Sequence, residues 1–118
     1  GTLYWAASEA SAAVTPGSGW TTVGTPEYAP RVTRVGRQVF LHGAVRRGTG
    51  SGSSLATIPA GFVPPSTGSR PVGVSVLSNG QITGLVLTGN TLSSGVGYGN
   101  FNPGTNVVVP IVATWWLD

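Results

Sequence analysis

The sequence predicts an all-β fold, an antiparallel β-sandwich or jelly-roll-like barrel. About seven or eight short apolar runs are separated by turns rich in glycine, proline and asparagine, a spacing typical of strands in such folds. The chain contains 19 glycines and 9 prolines, and no convincing long helical pattern follows residue 14. Successive strands without intervening helices pack as a sandwich or close into a barrel.

The first residues are predicted to form a neck or linker. Residues 2–14 are rich in alanine and fit a short helix, which the TPGSG run at 15–19 ends. The chain begins with glycine and contains no methionine, so we interpret it as a piece of a larger protein. We therefore expect a neck at 1–18 and a β-domain at 19–118.

The central strand is predicted at 38–47. It is preceded by a first strand at 20–23 and by the stretch 31–35. Within the central strand the side chains alternate, with Val39 and Leu41 on one face and Phe40 and His42 on the other. A period of two indicates a half-buried strand. The strand is followed by a glycine-serine loop at 48–54 and a short strand at 55–58. A proline corner comes next, because proline excludes a helix or a central strand there.

A hairpin and one further strand are predicted next. Residues 71–77 and 81–88 flank Asn79-Gly80, a dipeptide that favours a type I′ turn because both residues must take positive φ. Gly89-Asn90 provides a second turn, and a third strand follows at 91–98. The hairpin around Asn79-Gly80 has the clearest turn signal in the sequence.

The last predicted strand, 106–117, is apolar on both faces. Val109 and Trp115 share one face, and Val108, Val112 and Trp116 share the other. A strand with two apolar faces is normally covered on both. Because a chain of this size has no third layer, we expect the second face to contact another subunit.

Composition excludes several classes of protein. The 118 residues fit one domain; charged residues make up 8%, against about 25% in typical domains. All basic residues are arginines, yet the net charge is only +3, and no nucleic-acid-binding module is present. Without cysteine there is no disulfide or thiolate metal site, and no run of 18 apolar residues could span a membrane.

The residues needed for catalysis are also scarce. Glycosidases use two carboxyl groups about 5–10 Å apart, but the chain has only Glu9, Glu27 and Asp118 as acids. His42 is the sole histidine and no G-x-S-x-G elbow accompanies it. The glycine-rich loop at 48–54 lacks the Lys-Ser/Thr ending of a phosphate-binding loop. We predict a protein that is not an enzyme and holds no metal or cofactor.

Aromatic side chains are the best candidates for ligand binding. Trp20 and Trp115 are expected in the core. Five other rings are expected near the surface or in an interface: Tyr28, Phe40, Tyr98, Phe101 and Trp116. An exposed ring beside asparagine, arginine or histidine can stack on a sugar while the polar neighbours bind its hydroxyls. The candidate ligand-binding residues are Tyr28, Arg31, His42, Tyr98, Asn100, Phe101 and Trp116.

A family resemblance rests on four short segments. They are Gly19-Trp20, VGRQVFLHGAV at 35–45, IPAGFVPP at 58–65, and Asn79-Gly80 between two strands. Together they resemble the C-terminal head domains of bacteriophage tail-fibre and receptor-binding proteins, over about residues 19–118. That family often has leucine before the first proline of the corner and arginine before the next, where this chain has Ile58 and Val63.

The resemblance implies a homotrimeric β-sandwich head at the tip of a virion tail fibre. Such a head binds a host cell-surface saccharide or cell-wall polymer without cleaving it. Phe40, Val108 and Val112 are then expected at the trimer contact. Two alternatives remain open: a monomeric carbohydrate-binding module of a secreted hydrolase, and a purely structural virion fibre domain. The sequence does not identify the host or the receptor. It also does not decide whether the ligand site lies within one subunit or between two.

Overall fold

The computed structural model describes residues 9–48, 54–65, 68–94 and 106–117. These residues form twelve strands and one short 3₁₀ helix, Pro26–Tyr28. The strands are β1 (Glu9–Ala13), β2 (Thr15–Pro16), β3 (Trp20–Thr22), β4 (Arg31–Val35), β5 (Gln38–His42), β6 (Ala44–Arg47), β7 (Ser54–Thr57), β8 (Ser69–Val76), β9 (Ile82–Thr88), β10 (Thr91–Ser94), β11 (Val108–Pro110) and β12 (Ala113–Trp116).

Three antiparallel sheets surround one core, which confirms the all-β prediction. The first sheet has the order β1-β4-β5-β12, the second β2-β7-β10-β9-β8, and the third β11-β6-β3. The jelly-roll arrangement and the trimer stay predictions. Within the described ranges, no helix is long and apolar enough to cross a bilayer. Fully buried side chains come from all three sheets and include Val32, Val39, Leu41, Val45, Leu55, Leu85, Leu87, Leu92 and Val109.

The central stretch alternates as predicted but forms two strands. Val39 and Leu41 are buried while Phe40 and His42 are exposed. The single strand predicted at 38–47 is wrong, because β5 belongs to the first sheet and β6 to the third. The break falls at Gly43, whose φ is 130°. A Cβ there would lie 2.5 Å from the Cα of Pro30, so only glycine lets the chain pass from one sheet to the other.

The last predicted strand is divided at the same level. β11 pairs with β6 and β12 pairs with β5, so one continuous strand at 106–117 is wrong. Proline donates no ladder hydrogen bond at Pro110, and the Ile111 amide donates to the Gly43 carbonyl at 2.9 Å. The two faces were predicted correctly: Val109 and Trp115 are buried, whereas Val112 and Trp116 on the opposite face are exposed.

The hairpin is confirmed, but its turn type is wrong. β8 and β9 pair with Val76 opposite Ile82. The Gly80 amide donates to the Leu77 carbonyl at 2.9 Å, and of the Asn79-Gly80 pair only Gly80 has a positive φ, 89°. A type I′ turn requires positive φ at both residues. The Asn79 side chain instead accepts a hydrogen bond from the Gln81 amide, which fixes a wider loop.

The helix considered for residues 2–14 is wrong from residue 9 onward. Glu9–Ala13 forms β1, which pairs with β4 along its whole length, and Thr15–Pro16 pairs with β7. A short alanine-rich helix is marginal in isolation, whereas a strand here satisfies the free edge of β4. The rest of the predicted neck, 1–8, lies outside the described residues.

The proline corner closes the core beside β12. Ile58 and Phe62 are buried, and the Trp115 indole N–H donates to the Phe62 carbonyl at 2.8 Å. Arg34 lies over the corner, with its guanidinium 5.9 Å from the Phe62 ring centroid and an N–H donated to the Gly61 carbonyl at 3.0 Å. These contacts hold β12 and β4 in fixed positions.

Candidate functional site

Large apolar side chains are exposed in two places on the described part of the chain. One is the β8–β9 hairpin, where Val74, Val76 and Ile82 are each more than half exposed. The other is the first sheet and its surroundings, with Tyr28, Phe40, Val112 and Trp116. Soluble monomers rarely expose large apolar patches, and such patches often mark binding sites. The second place also carries polar side chains, which makes it the stronger candidate.

We define the outer face as the side chains of β4, β5 and β12 that point away from the core. The strand register arranges them in rows across the sheet. Phe40 lies between Thr33 of β4 and Thr114 of β12, and in the next row Gln38 lies beside Trp116. The outer face consists of Arg31, Thr33, Val35, Gln38, Phe40, His42, Thr114 and Trp116.

A groove of about 490 Å³ lies at one end of the outer face. The short helix Pro26–Tyr28 borders it and is closed by a hydrogen bond from the Tyr28 amide to the Thr25 carbonyl at 3.1 Å. The polar groups lining the groove are Glu27, Tyr28 and His42. Its aliphatic lining comes from Val23, Ala44, Val108, Pro110 and Val112. The groove is therefore largely hydrophobic, with a few hydrogen-bonding groups.

A hollow of about 630 Å³ lies at the other end. It is lined by Val35, Gly36, Arg37, Gln38, Phe40 and Trp116. Trp116 is 62% exposed and Phe40 42%. The hollow thus combines two accessible rings with an amide and a guanidinium.

Hydrogen bonds fix the polar side of the hollow. The Gln38 amide nitrogen donates to the Thr114 hydroxyl at 3.3 Å, and that hydroxyl donates to the Val39 carbonyl at 2.9 Å. The Leu117 amide donates to the Arg37 carbonyl at 2.7 Å, which ties the end of β12 to the β4–β5 turn. The strand carrying Trp116 is therefore held to β5 by side-chain as well as backbone hydrogen bonds.

The whole fold was compared with known proteins. Neither a family model nor a curated protein matches this sequence. The structure is similar to the crystal structure of the receptor binding protein (gp15) of Listeria phage PSA, with a TM-score of 0.65 and 18% sequence identity. The similarity covers 96% of this chain and 69% of that chain. This chain has the fold of a phage receptor-binding protein. The resemblance inferred from the four segments is thereby confirmed for the fold.

The fold brings residues predicted to bind ligand together with residues predicted at the trimer contact. His42 and Tyr28, predicted to bind ligand, line the groove together with Val108 and Val112, predicted at the trimer contact. Conversely, Phe40, predicted at the contact, lines the hollow with Trp116, predicted to bind ligand. Each of the two depressions therefore contains residues from both predicted sets.

Arg31 is on the outer face of the fold but is directed to its edge. Its guanidinium donates to the Ser11 hydroxyl of β1 at 3.0 Å, and β1 lies on the side of β4 away from β5. Arg31 therefore does not join the groove. The other predicted ligand-binding residues, Tyr98, Asn100 and Phe101, lie outside the described residues.

Sequence reasoning missed Arg37 and Gln38. The alternation in β5 already placed Gln38 on the side of Phe40 and His42, but nothing local indicated that β12 would bring Trp116 beside it. Within the described ranges, no group of three histidine, cysteine, aspartate or glutamate side chains could hold a metal ion. The side chains that the fold does bring together are suited to stacking and hydrogen bonding.

Proposed function

We propose that this chain is a non-catalytic receptor-binding domain of a phage tail. It attaches the virion to a host cell-surface saccharide or cell-wall polymer. The observation that carries the proposal is the similarity over 96% of the chain to the receptor binding protein of Listeria phage PSA. The domain is then a β-sandwich head located on the virion, outside the cell, at the tip of a tail fibre.

The chemistry of the outer face supports a saccharide or cell-wall polymer as the receptor. Sugars present apolar C–H faces that stack on aromatic rings, and hydroxyls that bind amide and guanidinium groups. Trp116, Phe40, Gln38 and Arg37 supply these groups in one hollow. A sequence with 8% charged residues favours a ligand held by stacking and neutral hydrogen bonds over a polyanion held by charge.

We further propose a homotrimer with the groove in the subunit contact. Val108 and Val112 line the groove with other aliphatic side chains, and aliphatic surface is what a subunit contact removes from water. The proposed contact leaves the hollow at the other end of the face available to ligand.

Sedimentation equilibrium over a concentration range tests the contact. We expect the wild-type chain to be a trimer and Val112→Asp or Val108→Asp to dissociate it, because a buried unpaired carboxylate opposes association. Val74→Asp is a matched control, since Val74 is 56% exposed and Val112 60%. A Val112→Asp variant that stays trimeric would place the contact elsewhere. A monomeric wild-type chain would favour the carbohydrate-binding module.

Binding of the labelled chain to intact bacteria tests the receptor function. Cells of Listeria and of several other genera are suitable, each with and without periodate, which cleaves the vicinal diols of sugars. We expect binding to cells of at least one genus, and its loss after periodate. Absence of binding to every genus would refute receptor binding and favour the purely structural fibre domain.

A further inference from the structure

We propose that the hollow formed by Arg37, Gln38, Phe40 and Trp116 is the saccharide subsite, and that one neutral pyranose ring stacks there on the Trp116 indole. This inference rests on the proposed function and names the part of the outer face that performs it. It also assigns Phe40 to ligand binding and not to the subunit contact.

The two rings are placed so that one sugar can contact both. Thr114 lies opposite Phe40 and Trp116 opposite Gln38, so Phe40 and Trp116 are diagonal neighbours on adjacent antiparallel strands. Such neighbours lie about 7–8 Å apart, within reach of aromatic side chains. Both rings are substantially exposed in the single chain, which leaves their surfaces open to a ligand.

The polar groups beside the rings match the hydroxyls of a sugar. One N–H of the Gln38 amide is used by Thr114, which orients the amide and leaves its carbonyl oxygen and a second N–H for a ligand. Arg37 is exposed and lines the same hollow, and its guanidinium offers planar donors. The Gln38 amide can donate and accept hydrogen bonds, and the Arg37 guanidinium donates them. Together they suit adjacent sugar hydroxyls, each of which both donates and accepts.

A neutral sugar fits the hollow better than a second copy of the chain. Burying the hollow in a subunit contact would desolvate Arg37 and Gln38 and would require partners for both. The groove is far more aliphatic than the hollow, so it is better suited to a protein contact. The one charged side chain in the described lining of the hollow is Arg37, which disfavours a cationic ligand.

The subsite is also held rigid before ligand arrives. The hydrogen bonds from Trp115 to Phe62 and from Leu117 to Arg37 fix β12, and Thr114 fixes the Gln38 amide. A preformed site loses little conformational entropy on binding. Less of the free energy gained from the individually weak saccharide contacts is therefore lost to ordering the site.

Binding to the cells that the wild-type chain recognises tests the subsite. We compare Trp116→Ala and Arg37→Ala with Ile82→Ala, a control on the hairpin that removes a side chain 52% exposed. Central aromatic and arginine contacts often account for most of an interface's affinity, so we expect Trp116→Ala to weaken binding about tenfold or more and Ile82→Ala to leave it unchanged. Because Trp116 and Arg37 are exposed, both variants should fold, which circular dichroism verifies.

The outcomes separate failure of the subsite from failure of the function. A wild-type chain that binds no cells overturns the proposed function itself. If the wild-type chain binds and both variants bind equally well, the receptor site lies elsewhere and the subsite is refuted. Undiminished binding to periodate-treated cells refutes the saccharide. Sedimentation of Trp116→Ala completes the test, because loss of the trimer would make the hollow a subunit contact and reduce binding through lost multivalency.

Discussion

Replacing Gly43 with alanine tests the break that separates the first sheet from the third. Gly43 combines a φ of 130° with close approach of Pro30, whose Cα and N would lie 2.5 Å and 2.8 Å from an added Cβ. Both neighbouring atoms belong to the backbone, so no side-chain rotation relieves the contact. Alanine must therefore either strain its own backbone or displace Pro30.

The expected loss follows from these two effects. Backbone strain at such a φ costs about 1–3 kcal/mol, and forcing extra volume against fixed backbone costs about 1–3 kcal/mol. Alanine also restricts the unfolded chain, which returns about 0.4–1 kcal/mol. We expect Gly43→Ala to lower the free energy of unfolding by about 3 kcal/mol, a large share of the roughly 5–15 kcal/mol typical of a domain.

Two further glycines separate the two effects. Gly80 has a φ of 89° with no atom within 4 Å of an added Cβ, so Gly80→Ala tests strain alone. At Gly73 the added Cβ would lie 2.8 Å from the Val112 carbonyl oxygen without a positive φ, so Gly73→Ala tests crowding alone. We expect each to cost about 1–2 kcal/mol.

Urea unfolding followed by tryptophan fluorescence measures all three variants, at one chain concentration because association also stabilises. With a slope of about 2 kcal/mol per molar urea, Gly43→Ala should lower the midpoint by about 1.5 M. Its loss should approach the sum of those of Gly80→Ala and Gly73→Ala. A Gly43→Ala midpoint no lower than that of Gly80→Ala would refute the argument that Pro30 crowds this position.

Two hydrogen bonds at the edges of the core give further predictions. Ser75→Ala removes the 2.6 Å hydrogen bond from a buried hydroxyl to the Pro110 carbonyl. It should lower the free energy of unfolding by about 1–2 kcal/mol in the same urea assay. An unchanged midpoint would contradict a stabilising role for this link between the second and third sheets. Trp115→Phe removes the donor to the Phe62 carbonyl and should cost about 2–3 kcal/mol, since it also leaves that oxygen unpaired; a loss below about 0.5 kcal/mol would mean that water replaces the indole.

The sequence was informative where structure depends on local pattern. Alternation identified the buried and exposed residues of β5 and both faces of the last segment, and Asn79-Gly80 located the hairpin. It failed where a distant neighbour decides. β1 is a strand because the edge of β4 is available to it, a fact that the alanine-rich sequence does not contain.

The candidate site shows the same limit more sharply. Alternation alone identifies Phe40 and Trp116 as outward-facing, but only the pairing of β5 with β12 makes them neighbours. A ring on one strand is an exposed apolar group with many possible roles. Two rings beside an oriented amide form a surface suited to stacking and hydrogen bonding, and this combination could not be found before the strand that pairs with β5 was known.

The groove and the hollow have different physical origins. The groove lies where the paired segments β5–β6 and β12–β11 both break, at Gly43 and at Ile111, which are joined by a hydrogen bond of 2.9 Å. Its shape therefore depends on the backbone conformation of Gly43. The hollow lies beside the β4–β5 turn, where neither β5 nor β12 is broken, and its shape depends on side chains. Substitutions at Gly43 should thus weaken the proposed trimer and reduce binding only through lost multivalency, whereas Trp116→Ala should reduce binding while the trimer stays intact.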